Sequence, residues 1–124
     1  EMSYVEDPET IMSLQERIDN LPYILYQLIN VLIYVHKKNM VHGDLKPENI
    51  MINKETKLIK LIDWGGIGSL RHYKNFDNIC TFEYCPPDGW DKLSKNEPIS
   101  PKFDMWSLGM TLYFYIIKDY YLKY

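Results

Sequence analysis

The chain has 124 residues, 46% of them hydrophobic and 25% charged, which suits one domain or part of one with a buried core and excludes a disordered or low-complexity chain. A formal net charge of -3, with no long basic run, excludes a phosphate-tracking surface for nucleic acid. The two cysteines, Cys80 and Cys85, have no second pair and no histidine at finger spacing, so they read as free thiols rather than a zinc site or a disulfide framework.

In chain order, residues 9–19 read as a short helix after Pro8. Leu21, Ile24, Leu25, Leu28, Leu32 and Val35 then recur at three- and four-residue steps, which predicts a long amphipathic helix over 21–38. Pro22 falls in its first turn, where a missing N–H costs nothing, and Lys37, Lys38 and Asn39 suit its C-terminus. Two β-rich runs follow, 50–53 and 58–62, separated by four residues that read as a hairpin loop. If Asn53 pairs with Leu58, Asn49 falls opposite Ile62 and beside Asp63. Facing strand positions lie roughly 5 Å apart, so the hairpin gathers an amide and a carboxylate at one end, where they can hold a divalent ion.

Residues 65–101 show no sustained period and read as a long loop with one short helix near 88–94. Residues 104–117 are apolar nearly all round, which predicts a central helix enclosed by protein. The apolar run over 105–117 is too short to span a bilayer, and the acidic, polar opening of the chain is no secretory signal. A soluble intracellular protein, cytoplasmic and without a membrane segment, is the resulting expectation.

The segment His42-Gly43-Asp44-Leu45-Lys46-Pro47-Glu48-Asn49 joins the long helix to the hairpin. An Asp in such a turn can accept a proton from a hydroxyl, a Lys two residues on can offset the charge of a migrating phosphoryl group, and an Asn five residues on can coordinate a metal. Asp63-Trp64-Gly65 offers a second metal ligand, with a glycine that permits a sharp turn. Taken singly, Asp44 with Asn49, or Asp63, could equally cap a turn, and an exposed lysine such as Lys46 needs no function.

Together they resemble the catalytic loop and the magnesium-binding triplet of eukaryotic-type protein kinases. The stretch Cys80-Thr81-Phe82-Glu83-Tyr84-Cys85-Pro86-Pro87-Asp88 is similar to the substrate-docking segment of that family. Asp104-Met105-Trp106-Ser107-Leu108-Gly109 resembles the start of its central helix. The resemblance implies an α+β, mainly α-helical fold: a protein-kinase-like C-terminal lobe with a short β-hairpin carrying the catalytic and metal loops. It implies ATP as co-substrate, Mg2+ as cofactor and protein Ser/Thr hydroxyls as acceptors. Asp44 would be the catalytic base, Lys46 would contact the γ-phosphate, and Asn49 and Asp63 would hold magnesium. Thr81 would bond near Asp44 and Lys46 on the substrate side, and Asp104 would tie the catalytic-loop backbone to the central helix. His42 reads as a packed core histidine with Trp64 stacked on it, and His36 as a helix-end residue.

Three departures modify that expectation. Gly43 stands where many protein kinases carry an arginine that reads a phosphorylated loop, so phosphorylation of Ser69, Tyr73 or Thr81 is expected to have little effect. Asp88 replaces a glutamate whose arginine partner would lie beyond Tyr124. No glycine-rich loop or strand lysine is identifiable, and residues 1–20 are too few to hold them, so 1–124 is expected to be a partial kinase domain running from the hinge to the central helix. Two alternatives stay open: an inactive kinase-like binding module, and a small-molecule phosphotransferase of the aminoglycoside or choline type, for which His42-Gly43-Asp44 and Asp63-Trp64 are also familiar.

Overall fold

Ser13 opens the first helix. Its hydroxyl accepts the Glu16 backbone N–H at 3.1 Å, and helix α1 then runs unbroken over Leu14–Lys37. The computed structural model describes residues 13–64, 68–69, 82–89, 91, 95 and 100–116. Within them the two helices expected at 9–19 and 21–38 are one, and Pro22 sits in its interior. An interior proline removes one helical hydrogen bond and costs an isolated helix about 3 kcal/mol.

Packing on both sides of Pro22 outweighs that cost. Before it, the buried Arg17 donates from Nη1 to the Tyr115 carbonyl at 2.9 Å, and the Tyr115 hydroxyl donates to the Arg17 carbonyl at 3.0 Å. After it, Ile24, Leu28, Leu32 and Val35 form the buried stripe that the sequence spacing predicts. By length and composition alone α1 could cross a membrane, but this stripe joins the protein core.

The chain leaves α1 through Asn39, whose φ of 55° is the left-handed cap that asparagine tolerates, with its N–H on the His36 carbonyl at 3.0 Å. Strand β1, Met40–Val41, follows at once. After the loop of residues 42–46, a 3-10 helix over Pro47–Asn49 leads into β2, Ile50–Ile52, and β3, Ile59–Leu61. Ile50 faces Leu61 and Ile52 faces Ile59, and the ladder extends to Asn53 N on Leu58 O at 2.8 Å and Ile62 N on Asn49 O at 2.9 Å. The register is therefore the one in which Asn49 lies opposite Ile62.

Strand β4, Gly68–Ser69, pairs antiparallel with β1 and places the chain after Trp64 beside the chain before His42. It lies inside the region read as loop; two residues leave no sequence period to detect. Further on, the described pieces are a 3-10 helix at Phe82–Tyr84 and helical backbone at Gly89 and Asp91, with Lys95 N on Asp91 O at 3.1 Å. The rest of the short helix expected near 88–94 lies outside the described residues.

Helix α2 covers Pro101–Ile116 and starts a turn before residue 104, because Ser100 accepts the Lys102 N–H on its side chain and the Phe103 N–H on its carbonyl ahead of a proline at the first helical position. It is not enclosed all round. Phe103, Leu108 and Tyr115 are buried together with the polar Asp104, Ser107 and Thr111, whereas Met105, Trp106 and Tyr113 are nearly half exposed. The core gathers Ile24, Leu28 and Leu32 of α1, Leu45 of the loop, Ile50, Ile52 and Leu61 of the hairpin, and Leu108 and Tyr115 of α2.

Candidate active site

The loop between β1 and β2 is held from three sides. Leu45 anchors it in the core with no exposed surface, so its neighbours Asp44 and Lys46 are presented at the rim, each partly exposed. From below, the carboxylate of Asp104 on α2 accepts the His42 N–H at 2.8 Å and the Gly43 N–H at 3.0 Å. Two backbone donors that could not otherwise be buried are thereby satisfied by one charged acceptor. Gly43 has φ 85°, a backbone shape that any side chain would strain, so glycine is the residue that lets both N–H groups turn toward Asp104.

The His42 ring bridges the loop to the hairpin. Its Nδ1 accepts the Asp44 N–H at 3.1 Å, which leaves Nε2 to donate to the Ile62 carbonyl at 3.1 Å, a neutral tautomer fixed by its partners. Trp64 lies against that ring, with centroids 4.5 Å apart and planes tilted by 60°, and its indole N–H donates to the Leu61 carbonyl at 3.0 Å. His42 is fully buried and engaged at both nitrogens, which suits a brace rather than a proton carrier.

On the open side, the Asn49 amide nitrogen donates to the Asp44 carbonyl at 2.7 Å and approaches Asp44 Oδ2 at 3.5 Å. Lys46 Nζ stands 3.5 Å from the same Oδ2. Because the amide nitrogen is committed to Asp44, the Asn49 oxygen is the atom left for a cation. Asp63 follows Ile62 directly, is exposed, and has φ 58°, a left-handed shape that aspartate tolerates better than most residues. A carboxylate and an amide oxygen are the hard ligands that Mg2+ takes, and it commonly uses only one or two protein groups beside water and phosphate. Among the described residues there is no cluster of three or more His, Cys, Asp or Glu that would suggest a different metal centre.

Residues 82–89 meet α2. Ser107 Oγ donates to the Tyr84 carbonyl at 2.7 Å, and Gly89 packs so closely that a Cβ there would lie 2.7 Å from Cys85 Sγ and 2.9 Å from the Phe103 ring. Thr111 Oγ1 lies 3.5 Å from the Leu45 carbonyl, so the loop and the stretch lean on one helix. Thr81 lies outside the described residues.

A family model of the protein kinase domain matches residues 4–123. The chain belongs to the protein kinase family. Protein kinases move a phosphoryl group from ATP, typically with Mg2+, to a protein hydroxyl. The chain is 41% identical over 98 residues to the mouse PAS domain-containing serine/threonine-protein kinase, covering 78% of this chain and 7% of that protein. It is 39% identical over 94 residues to calcium-dependent protein kinase 4 of Plasmodium falciparum, with 73% and 17% covered. With the Aurora kinase of Schizosaccharomyces pombe it shares 32% over 93 residues, 75% of this chain and 25% of that one. It thus spans a quarter or less of the length of these relatives.

Several supporting residues have no obvious signature in the sequence. Gln27 of α1 donates to the Lys57 carbonyl at 3.0 Å and accepts the Ile59 N–H at 2.9 Å, fastening the hairpin edge to the helix. His36, read only as a helix end, meets Asp104 at 2.8 Å. The signal for α2 was present: Asp104, Ser107 and Thr111 recur at helical spacing in an otherwise apolar segment.

Proposed function

We propose that this chain is the C-terminal-lobe part of a kinase domain and supplies the catalytic loop and magnesium ligands for phosphoryl transfer from ATP to protein Ser/Thr hydroxyls. The reading is carried by one observation: Asp44, Lys46 and Asn49 converge within 3.5 Å on a buried loop whose hairpin closure sets Asp63 beside them.

Asp44 orients the acceptor hydroxyl and takes its proton at a carboxylate oxygen. Lys46, already beside that carboxylate, turns its ammonium to the γ-phosphate and offsets the charge on the migrating group. Asn49 and Asp63 would hold magnesium, which would supply positive charge to offset that of the phosphates. Thr81 contributes on the substrate side, near Asp44 and Lys46. His42, Trp64 and Asp104 hold the loop in place and take no part in proton transfer. The rest of the ATP site belongs to parts of the domain outside this chain. A soluble cytoplasmic setting suits a protein acceptor, and the packing of the α1 stripe into the core supports it over a membrane span.

The test is a phosphotransfer assay on the full-length product with Ser, Thr and Tyr peptides and with an aminoglycoside and choline. The expected result is transfer to Ser or Thr peptides alone. Transfer to the small molecules would install the rival that Gly43 and Trp64 suggest, and no transfer to any acceptor would leave a binding module.

A further inference from the structure

The ribbon of β2 and β3 has two strands of three residues each, and a two-stranded hairpin of that size is marginal by itself. Successive residues of a strand turn their backbone groups to opposite edges. Leu58 and Ile62 direct theirs toward β2, with the Asn53 N–H on the Leu58 carbonyl and the Ile62 N–H on the Asn49 carbonyl. Ile59 and Leu61 therefore face the outer edge, where side chains take the place of a third strand. Trp64 caps the Leu61 carbonyl at the end near Asp63. Gln27 of α1 caps the turn end: its Oε1 accepts the Ile59 N–H at 2.9 Å, and its Nε2 donates to the Lys57 carbonyl at 3.0 Å. The same nitrogen lies 3.4 Å from the Tyr23 carbonyl one helical turn back, so a single orientation of the amide satisfies all three groups.

We propose that Gln27 is a positioning residue for Asp63. The turn in which Asn53 Oδ1 accepts the Glu55 and Thr56 N–H groups sets which residues of β2 and β3 face each other. It does not set where the ribbon lies along α1. Burial of Leu61 is non-directional and tolerates sliding, whereas two hydrogen bonds to groups two residues apart do not. Asn49 is tied to the catalytic loop through Asp44, but Asp63 is exposed and takes its position from the end of β3. Mg2+ demands near-ideal octahedral geometry, so a shift of β3 by a fraction of its residue step, about 3.3 Å, draws the two ligands out of register. Gln27 thus acts through the strand on the spacing of Asn49 and Asp63, without touching either. The inference rests on the reading of those two residues as magnesium ligands.

The test uses the full-length product with Gln27→Met and Gln27→Glu, and with Asp63→Asn as the control for the underlying reading. Methionine keeps the length and loses both bonds; glutamate keeps the acceptor for Ile59 and loses the donation to Lys57. For Gln27→Met, the Mg2+ concentration giving half-maximal phosphotransfer should rise by about threefold to tenfold, less than for loss of a group that touches a ligand directly. KM for the peptide should stay unchanged, and hydrogen exchange at the Ile59 and Ile62 amides should quicken. Gln27→Glu should fall between parent and methionine variant, with Ile59 exchange close to the parent's. If the methionine variant does not fold, Gln27→Asn, too short to make both bonds, takes its place with the same outcomes expected. An unchanged Mg2+ requirement in the variant lacking both bonds, even with a lowered melting point, overturns the proposal, as does unchanged exchange at Ile62. An active parent whose Asp63→Asn variant keeps the same rate and Mg2+ requirement would instead overturn the reading of Asp63. The exchange measurement needs no turnover and then decides whether Gln27 holds the strand.

Discussion

The loop of residues 42–49 and the turn at Asp63 lie side by side and are built in opposite ways. The loop is buried at His42, Leu45 and Asn49, and its amides are held by Asp104 and by the His42 ring. Asp63 is exposed, sits at φ 58°, and makes no hydrogen bond or ion pair within the described residues. The difference suits the two tasks proposed for Asp44 and Asp63. A proton acceptor must be in position before substrate arrives, so its surroundings are over-determined. A ligand for a strongly hydrated cation is useful only if its oxygens are left available.

The contrast can be broken from either side. On the open side, Asp63→Asn keeps the shape and tolerates the left-handed backbone but removes the charge, so Mg2+-dependent transfer should fall by roughly 10³-fold with little change in thermal stability. A melting point that drops with activity would show Asp63 to be structural. On the closed side, Asp104→Ala leaves two buried N–H groups without an acceptor, an expected loss of roughly 2–5 kcal/mol in denaturant unfolding. Gln27→Ala should cost less, about 1–2 kcal/mol, since it frees one amide and one carbonyl at the hairpin edge. The smallest effect belongs to Ser69→Glu: with Gly43 in place of a cation, kinase activity should change by about twofold or less. A many-fold rise would mean that another group reads the added charge.

How far the sequence reaches depends on whether a feature is local. The hairpin register follows from pairing Asn53 with Leu58, and the Ile24, Leu28, Leu32 and Val35 stripe from periodicity, because each is set by short-range geometry. The start of α1 is misread because Pro22 imitates a first-turn proline, whereas the decisive signal is Ser13 three residues before Glu16, reinforced by Arg17 and Tyr115 from opposite ends of the fold. The loop motif of Asp44, Lys46 and Asn49 is visible as spacing. His36 and Gln27 are not, since each acquires its role only when a second element brings a partner to it. In α2, Asp104 is legible through the family resemblance, whereas the burial of Ser107 and Thr111 shows only as helical spacing that hydropathy does not interpret: their hydroxyls meet the Tyr84 and Leu45 carbonyls only in the folded chain.

The most direct measurement is single-turnover phosphotransfer by the full-length product carrying Asp44→Asn, with MgATP affinity measured in parallel. The isosteric change removes the carboxylate from the centre of the loop. Transfer to a Ser/Thr peptide should fall by roughly 10²–10⁴-fold while MgATP affinity stays within a few-fold of the parent. Transfer at the parent's rate with affinity intact would contradict the account, because the group that Lys46, Asn49 and the His42 brace surround would then not be the base.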